Sequence, residues 1–183
     1  MKKPFNLSDD EYQFWKSYIL DECIFDLGHL TACKHTFKHP ERNESYTLYI
    51  TFSHHVFTRS PSVEEDYDPD QIYPFPNEDL RLFDEVRYEL SHHLPAIIAS
   101  LPEQFCYHGG YSRYCSCKVV MANGMEVDYQ VVYRVWKARG KMRFHVESAY
   151  PLKERLGRVK KVSFWVICFN LATGKALPKP AAK

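Results

Sequence analysis

Proton transfer near neutral pH calls for histidine, whose unperturbed pKa is about 6.5. In the segment 142–152, MRFHVESAYPL, His145 follows Arg143 by two places. Residues two apart on a strand share a face, so an imidazole and a guanidinium would stand side by side. If Trp136 faces Lys141 across a turn over 137–140, then Arg134 lies opposite Arg143, Val132 opposite His145 and Gln130 opposite Glu147. Two directly opposed guanidinium groups repel. The arrangement persists more readily with a carboxylate or a bound phosphate between them. A register slip of two residues still keeps Arg134, Arg143, His145 and Glu147 on one face. The competing reading is a solvent-facing sheet surface with scattered ion pairs.

The same eleven residues, 142–152, carry a resemblance. MRFHVESAYPL resembles the strand motif ending in an aromatic and proline in the phage-associated branch of barnase, EndoU, colicin and RelE-like ribonucleases. The resemblance implies a helical N-terminal part before a small antiparallel sheet, RNA cut without metal, and RNA and a cognate inhibitor protein as partners. One departure concerns Ser148, which falls on the strand face opposite His145. Either a bulge reorients it or Ser148 is structural. The whole chain, through YITFSHHVFTR and CYHGGYSRYCSC, also resembles small proteins of proteobacterial mobile elements called stationary-phase growth adaptation proteins, a likeness that implies a context but no chemistry. In that context the ribonuclease resemblance implies a toxin or host-takeover factor of a mobile element.

Metal-free RNA cleavage needs a base for the 2′-hydroxyl proton, an acid for the leaving 5′-oxygen, and cations for the charge on phosphorus. His145, Arg143 and Arg134 suit these roles. His54 and His55, at the end of a predicted strand, offer the second histidine. Strand alternation would send them to opposite faces, so one at most reaches the site. His92 and His93 fall on a predicted helix surface. The alternative function is a non-enzymatic module that binds nucleic acid or protein and is stabilised by zinc.

The zinc alternative rests on CYHGGYSRYCSC, where Cys106, His108, Cys115 and Cys117 supply the ligand types of a structural site. The spacing argues against it, because C-x-H and C-x-C leave one residue between ligands where two or more let the chain curl round an ion. Thiols in a core are the competing reading, and no other cofactor is expected. Tyr111, Arg113, Tyr114, Tyr129, Tyr133 and Trp136 mix aromatic and basic groups as RNA-binding surfaces do, yet alternating tyrosines also pack well in sheets.

Several elements must position these residues. Ser8 with Glu11 makes a capping box, and Tyr12, Trp15, Ile19 and Leu20 fall on one face of the helix it would start. The alternation over 46–52 predicts a strand, in a hairpin after the turn-forming residues 39–45. A long loop over 59–79 carries four prolines and seven acids, and would be a lid or a tether. A second helix is predicted over 80–101, kinked or restarted at Pro95. Strands follow over 125–136 and 142–147, and another over 162–169, with a frayed end from 174 to 183. Helices before a mostly antiparallel sheet make an α+β fold in a single domain over 1–173.

With 183 residues, the length excludes two independent catalytic domains, and 45% hydrophobic with 26% charged residues suits a folded chain. No Gly-rich phosphate loop exists. Polar residues after Lys3 exclude a signal peptide, and the apolar run 162–172 is half a membrane span, so a cytoplasmic protein with reduced thiols and no membrane partner is expected. The formal charge of +1 hides an asymmetry: seven acids and no Lys or Arg over 61–80, but ten Lys and Arg against two acids over 134–161. Such a split allows a basic groove for a polyanion, or two solvated surfaces that attract each other.

Overall fold

Alternating apolar positions make long strands here, while the helices are short. A computed structural model describes residues 5, 7, 11–75, 80–110, 113–122, 124–152 and 160–178, without the side chains of 109, 110, 113, 115, 117, 121 and 122. The chain runs through β1 (Tyr18–Leu20), β2 (Cys23–Phe25), β3 (Cys33–Lys38), β4 (Ser45–Phe52), β5 (Thr58–Arg59) and β6 (Leu82–Phe83). Helices α1 (Glu85–Ser91) and α2 (Leu94–Ala99) precede β7 (Phe105–Gly110), β8 (Arg113–Ala122), β9 (Met125–Ala138), β10 (Lys141–Pro151), β11 (Lys161–Ser163) and α3 (Phe164–Thr173). The fold is α+β. Its seven-stranded sheet has the order β11-β7-β8-β9-β10-β4-β3, and β1-β2 and β5-β6 form two small ribbons. Every neighbouring pair in the large sheet is antiparallel except β4 and β10, which run parallel.

One face of that sheet holds the core. Leu48, Ile50 and Phe52 of β4 alternate inward with Phe144 and Val146 of β10, all nearly sealed from solvent. Helix α3 closes this side, with Phe164 edge-on to Phe37 at 4.7 Å. The predicted strand over 162–169 is therefore only three residues of strand followed by helix. Phe164, Ile167, Cys168 and Leu171 are its buried residues, a three- and four-residue spacing that a short apolar run does not distinguish from a strand by hydropathy alone. Gly174 ends it at φ 72°, the left-handed geometry that favours glycine.

Three other expectations change. Ser8 lies outside the described residues, and the helix it was to start is absent from 11–20, where the chain is extended and ends in β1. Tertiary contacts override the capping signal: Tyr12 and Trp15 join Phe57 and Phe75 at ring separations of 5.1 to 5.4 Å, and Glu11 turns into the sheet. The single helix over 80–101 is instead β6, α1 and α2, with Pro95 in the first turn of a restarted helix. The stretch 174–178 is tied down, since Asn170 Nδ2 donates to the Ala176 carbonyl, Tyr114 donates to the Pro178 carbonyl and Leu177 packs on the core.

The loop from Ser60 to Phe75 is also anchored. Glu65 takes both ends of the Arg59 guanidinium and the Ser62 amide, and Tyr73 N donates to the Arg81 carbonyl at 2.8 Å.

Candidate active site

The β9–β10 hairpin turns over Arg139 and Gly140, at φ 48° and 77°, so it is a two-residue connection and not the expected four-residue turn. The register shifts accordingly. Trp136 sits opposite Arg143, and Arg134 opposite His145. The repelling pair of opposed arginines does not form; both guanidinium groups lie over the Trp136 ring, Arg134 at 4.8 Å and Arg143 at 5.4 Å from its centroid. Arg134, Arg143 and His145 still share one face.

Arg143 is not available to a ligand phosphate. It is fully buried, and its Nη2 donates to Glu11 Oε1 at 2.7 Å. That same oxygen accepts the Thr51 hydroxyl at 2.5 Å, and Thr51 Oγ1 lies 2.9 Å from His145 Nδ1. A threonine has one proton to donate, and it goes to Glu11. Nδ1 of His145 must then carry the hydrogen, which leaves the lone pair on Nε2. An ionised carboxylate, a hydroxyl and an imidazole thus form a line that sets the tautomer of His145, and a ring held in this way could accept a proton at Nε2. The Glu11 carboxylate is itself 3.6 Å from Nδ1, so it also favours the imidazolium once a proton is taken. Sequence reasoning missed Glu11 and Thr51. Thr51 alone carried a signal, as a hydroxyl between Ile50 and Phe52 on the other phase of β4.

At the end of β4 the chain passes Ser53, whose amide donates to the Val146 carbonyl, into a 3-10 turn over His54–Val56. The two histidines part company there. His54 is buried and stacked on Phe75 at 3.8 Å; burial, then the charges of His55, Arg81 and His145, push its pKa down to about 3. It stays neutral and serves packing. His55 is partly exposed and lines a cleft of about 490 Å³ with Ser53, Arg134, His145, Glu147, Ser148 and Tyr150. Two arginines hold this turn: Arg87 Nη1 donates to the carbonyls of His55 at 3.0 Å and Thr58 at 2.8 Å, and Arg81 Nη2 to that of Thr58.

A β-bulge between Val146 and Ser148 brings in the remaining polar groups. Glu147 is the extra residue, and Ser148 consequently pairs with Val132, on the face of Arg134 and His145. Of the two readings of Ser148, the bulge that reorients it is the one observed. Glu147 Oε1 is 3.4 Å from Arg134 Nε.

The cysteine cluster is only partly described. Cys106 is buried beside Ser116, with its thiol pushed up by burial, and the His108 ring meets Tyr114 edge-on at 5.4 Å. Cys115 and Cys117 pair through their backbones with Val132 and Gln130, and their side chains lie outside the described set. Among the described residues no three His, Cys, Asp or Glu form a metal-binding group. Tyr114, Tyr129 and Tyr133 are fully buried, so they pack and do not stack bases. His92 and His93 stand at the break between α1 and α2.

The YjaZ family matches residues 14–172, a span that includes every residue lining the cleft. The chain belongs to the YjaZ family. It is similar to Protein YjaZ of Escherichia coli strain K12, at 33% identity over 165 residues, 88% of this chain and 92% of that protein. No solved structure matches. Membership of the YjaZ family across nearly the whole chain corrects both resemblances, the one to barnase, EndoU, colicin and RelE-like ribonucleases and the one to stationary-phase growth adaptation proteins. An eleven-residue likeness in one strand reflects the alternation that any amphipathic strand shares. No helix among the described residues of this YjaZ-family chain is long and apolar enough to cross a membrane.

Proposed function

We propose that this cleft is the active site of a metal-independent RNA endonuclease. The observation that carries the reading is the placing of His55 and His145 on one cleft with Arg134, His145 being held in the tautomer of a base by Thr51 and Glu11. Nε2 of His145 takes the proton of a 2′-hydroxyl, whose oxygen attacks the adjacent phosphorus. The bond from phosphorus to the 5′-oxygen breaks, and the imidazolium of His55 gives that oxygen its proton. The products are a 2′,3′-cyclic phosphate and a 5′-hydroxyl. Arg134 supplies charge to the phosphorane oxygens. Arg143 acts from the core, through Glu11. A cytoplasmic location accords with this substrate and with unpaired thiols at Cys23, Cys33, Cys106 and Cys168.

The test is cleavage of an end-labelled oligoribonucleotide in chelator, beside the same sequence in DNA. The RNA should be cut to cyclic-phosphate ends and the DNA left whole. His145→Ala and His55→Ala should each lower the rate by roughly 100-fold or more with the fold intact. Absence of cutting under any condition, or full activity in His145→Ala, would overturn the assignment. A second reading is binding without turnover, in which Arg134, on the cleft beside Glu147 and Trp136, supplies the contact to an anionic ligand. RNA bound but never cut would identify that non-enzymatic module.

A further inference from the structure

The cleft does not stop at the histidines. Tyr150, just past the bulge, borders both the cleft and a second hollow of about 400 Å³, whose lining includes Val86, Pro151 and Leu152 together with Arg59, Asp84 and Arg87. The two hollows therefore share one aromatic ring as a wall. The second joins apolar and aromatic surface to one carboxylate, Asp84, and two guanidinium groups, Arg59 and Arg87, a small set of polar groups that can orient a flat ligand.

Asp84 has two partners here, the Arg87 amide on Oδ1 at 2.8 Å and Arg59 Nε at 3.4 Å from Oδ2. A carboxylate has about four acceptor positions, so these leave capacity for a ligand that donates. Among the bases, guanine presents two adjacent N–H donors on its Watson–Crick edge, which match the two oxygens of one carboxylate. Arg87 joins this hollow to the catalytic turn: its guanidinium lies over the Tyr150 ring at 5.6 Å and donates to the His55 carbonyl at 3.0 Å.

We infer that the second hollow is a nucleobase subsite, in which a guanine next to the scissile phosphate lies against Tyr150 and donates to Asp84. The inference rests on the RNA-cleavage reading for its ligand class, and it deepens that reading by naming a sequence preference. Base stacking on an aromatic ring typically contributes about 1 to 3 kcal/mol, so loss of the ring should weaken binding by roughly tenfold or more.

The experiment titrates the intact protein with the uncleavable dinucleotides dGpdC, dCpdG and dCpdC. A guanine-containing dinucleotide should bind at least roughly tenfold tighter than dCpdC. Tyr150→Ala should remove that advantage, and Tyr150→Phe should keep it. Asp84→Asn, which still caps α1, should reduce the preference for guanine. Val86→Trp, at an exposed position on α1, should fill the hollow and abolish the preference without unfolding the chain. Equal binding of all three dinucleotides, no binding of any, or an unaltered preference in a folded Tyr150→Ala protein would overturn the subsite. The two readings fail separately. A guanine preference that Tyr150→Ala removes, in a protein that cuts no RNA, retains the subsite and discards the enzyme. Cleavage that requires His145 but is indifferent to guanine and to Tyr150 does the reverse.

Discussion

His145 has two ring nitrogens, and the surroundings of one decide what the other can do. Thr51 gives its only proton to Glu11 and so obliges His145 Nδ1–H to donate. Thr51→Val keeps the shape of the side chain and removes this constraint. In that variant the proposed RNA cleavage should slow by roughly tenfold or more, while stability falls by only about 1 to 3 kcal/mol, the usual cost of an unsatisfied buried donor. Glu11 has a second duty, since it neutralises the wholly buried Arg143. Glu11→Gln should therefore cost about 3 to 5 kcal/mol in urea unfolding, the typical result of leaving a buried charge without its partner. The double variant Glu11→Leu with Arg143→Met should regain much of that stability and none of the activity. Stability and activity moving together through all three variants would show that the carboxylate acts only as structure. Arg143 thus belongs to the core, contrary to the expectation of a phosphate clamp, because its charge is balanced from a segment 132 residues away in sequence.

At the scale of elements, the β9–β10 hairpin was legible because its two faces differ in chemistry, so the alternation names the polar face whatever the register. The register itself was not. Nothing in KARG distinguishes a two-residue turn from a four-residue one until the backbone angles are known, and Arg139 adopts the left-handed region without being glycine or asparagine. Arg139→Asn should therefore raise stability by about 0.5 to 1 kcal/mol, as the residue type better suited to that geometry. Gly140→Ala meets no atom within 4 Å, so its penalty is one of backbone conformation alone, about 1 kcal/mol. Both are read as shifts in the urea midpoint, and a neutral Gly140→Ala would contradict the turn. The bulge at Glu147 was legible only as a conflict, Ser148 on the wrong strand face. α3 was illegible for another reason, since ten residues with apolar groups on most positions fit either period.

Across the whole molecule the least legible feature is which polar residues end in the interior, because that depends on contacts between distant segments. Two histidines show it, and they give the fold a pH dependence of definite sign. Burial pushes His54 down to about 3, with smaller contributions from His55 and His145, which repel a second charge when they are themselves protonated, and from the Arg81 guanidinium. Burial and His92 push His29 down to about 4, against a smaller upward pull from Asp26. In the unfolded chain both take a proton near pH 6.5, about the value of an unperturbed imidazole. Below that pH the unfolded state binds more protons than the folded one, so stability is complete above it and declines as pH falls. Each histidine adds a slope of up to about 1.4 kcal/mol per pH unit until its folded value is reached. Glu65 does not share this window: Arg59 holds it down to about 2, so its protonation belongs to more acidic solutions. Urea midpoints measured from pH 7.5 down to 4.5 should therefore decline progressively below pH 6.5. His54→Phe keeps an aromatic ring against Phe75, which stacks on the native imidazole at 3.8 Å, and should lessen the slope by about one proton. A midpoint that stays level from pH 7 to pH 5 in the native protein would mean that both rings titrate in the folded state as they do in water, and the packing of the 3-10 turn that presents His55 would then have to be reconsidered.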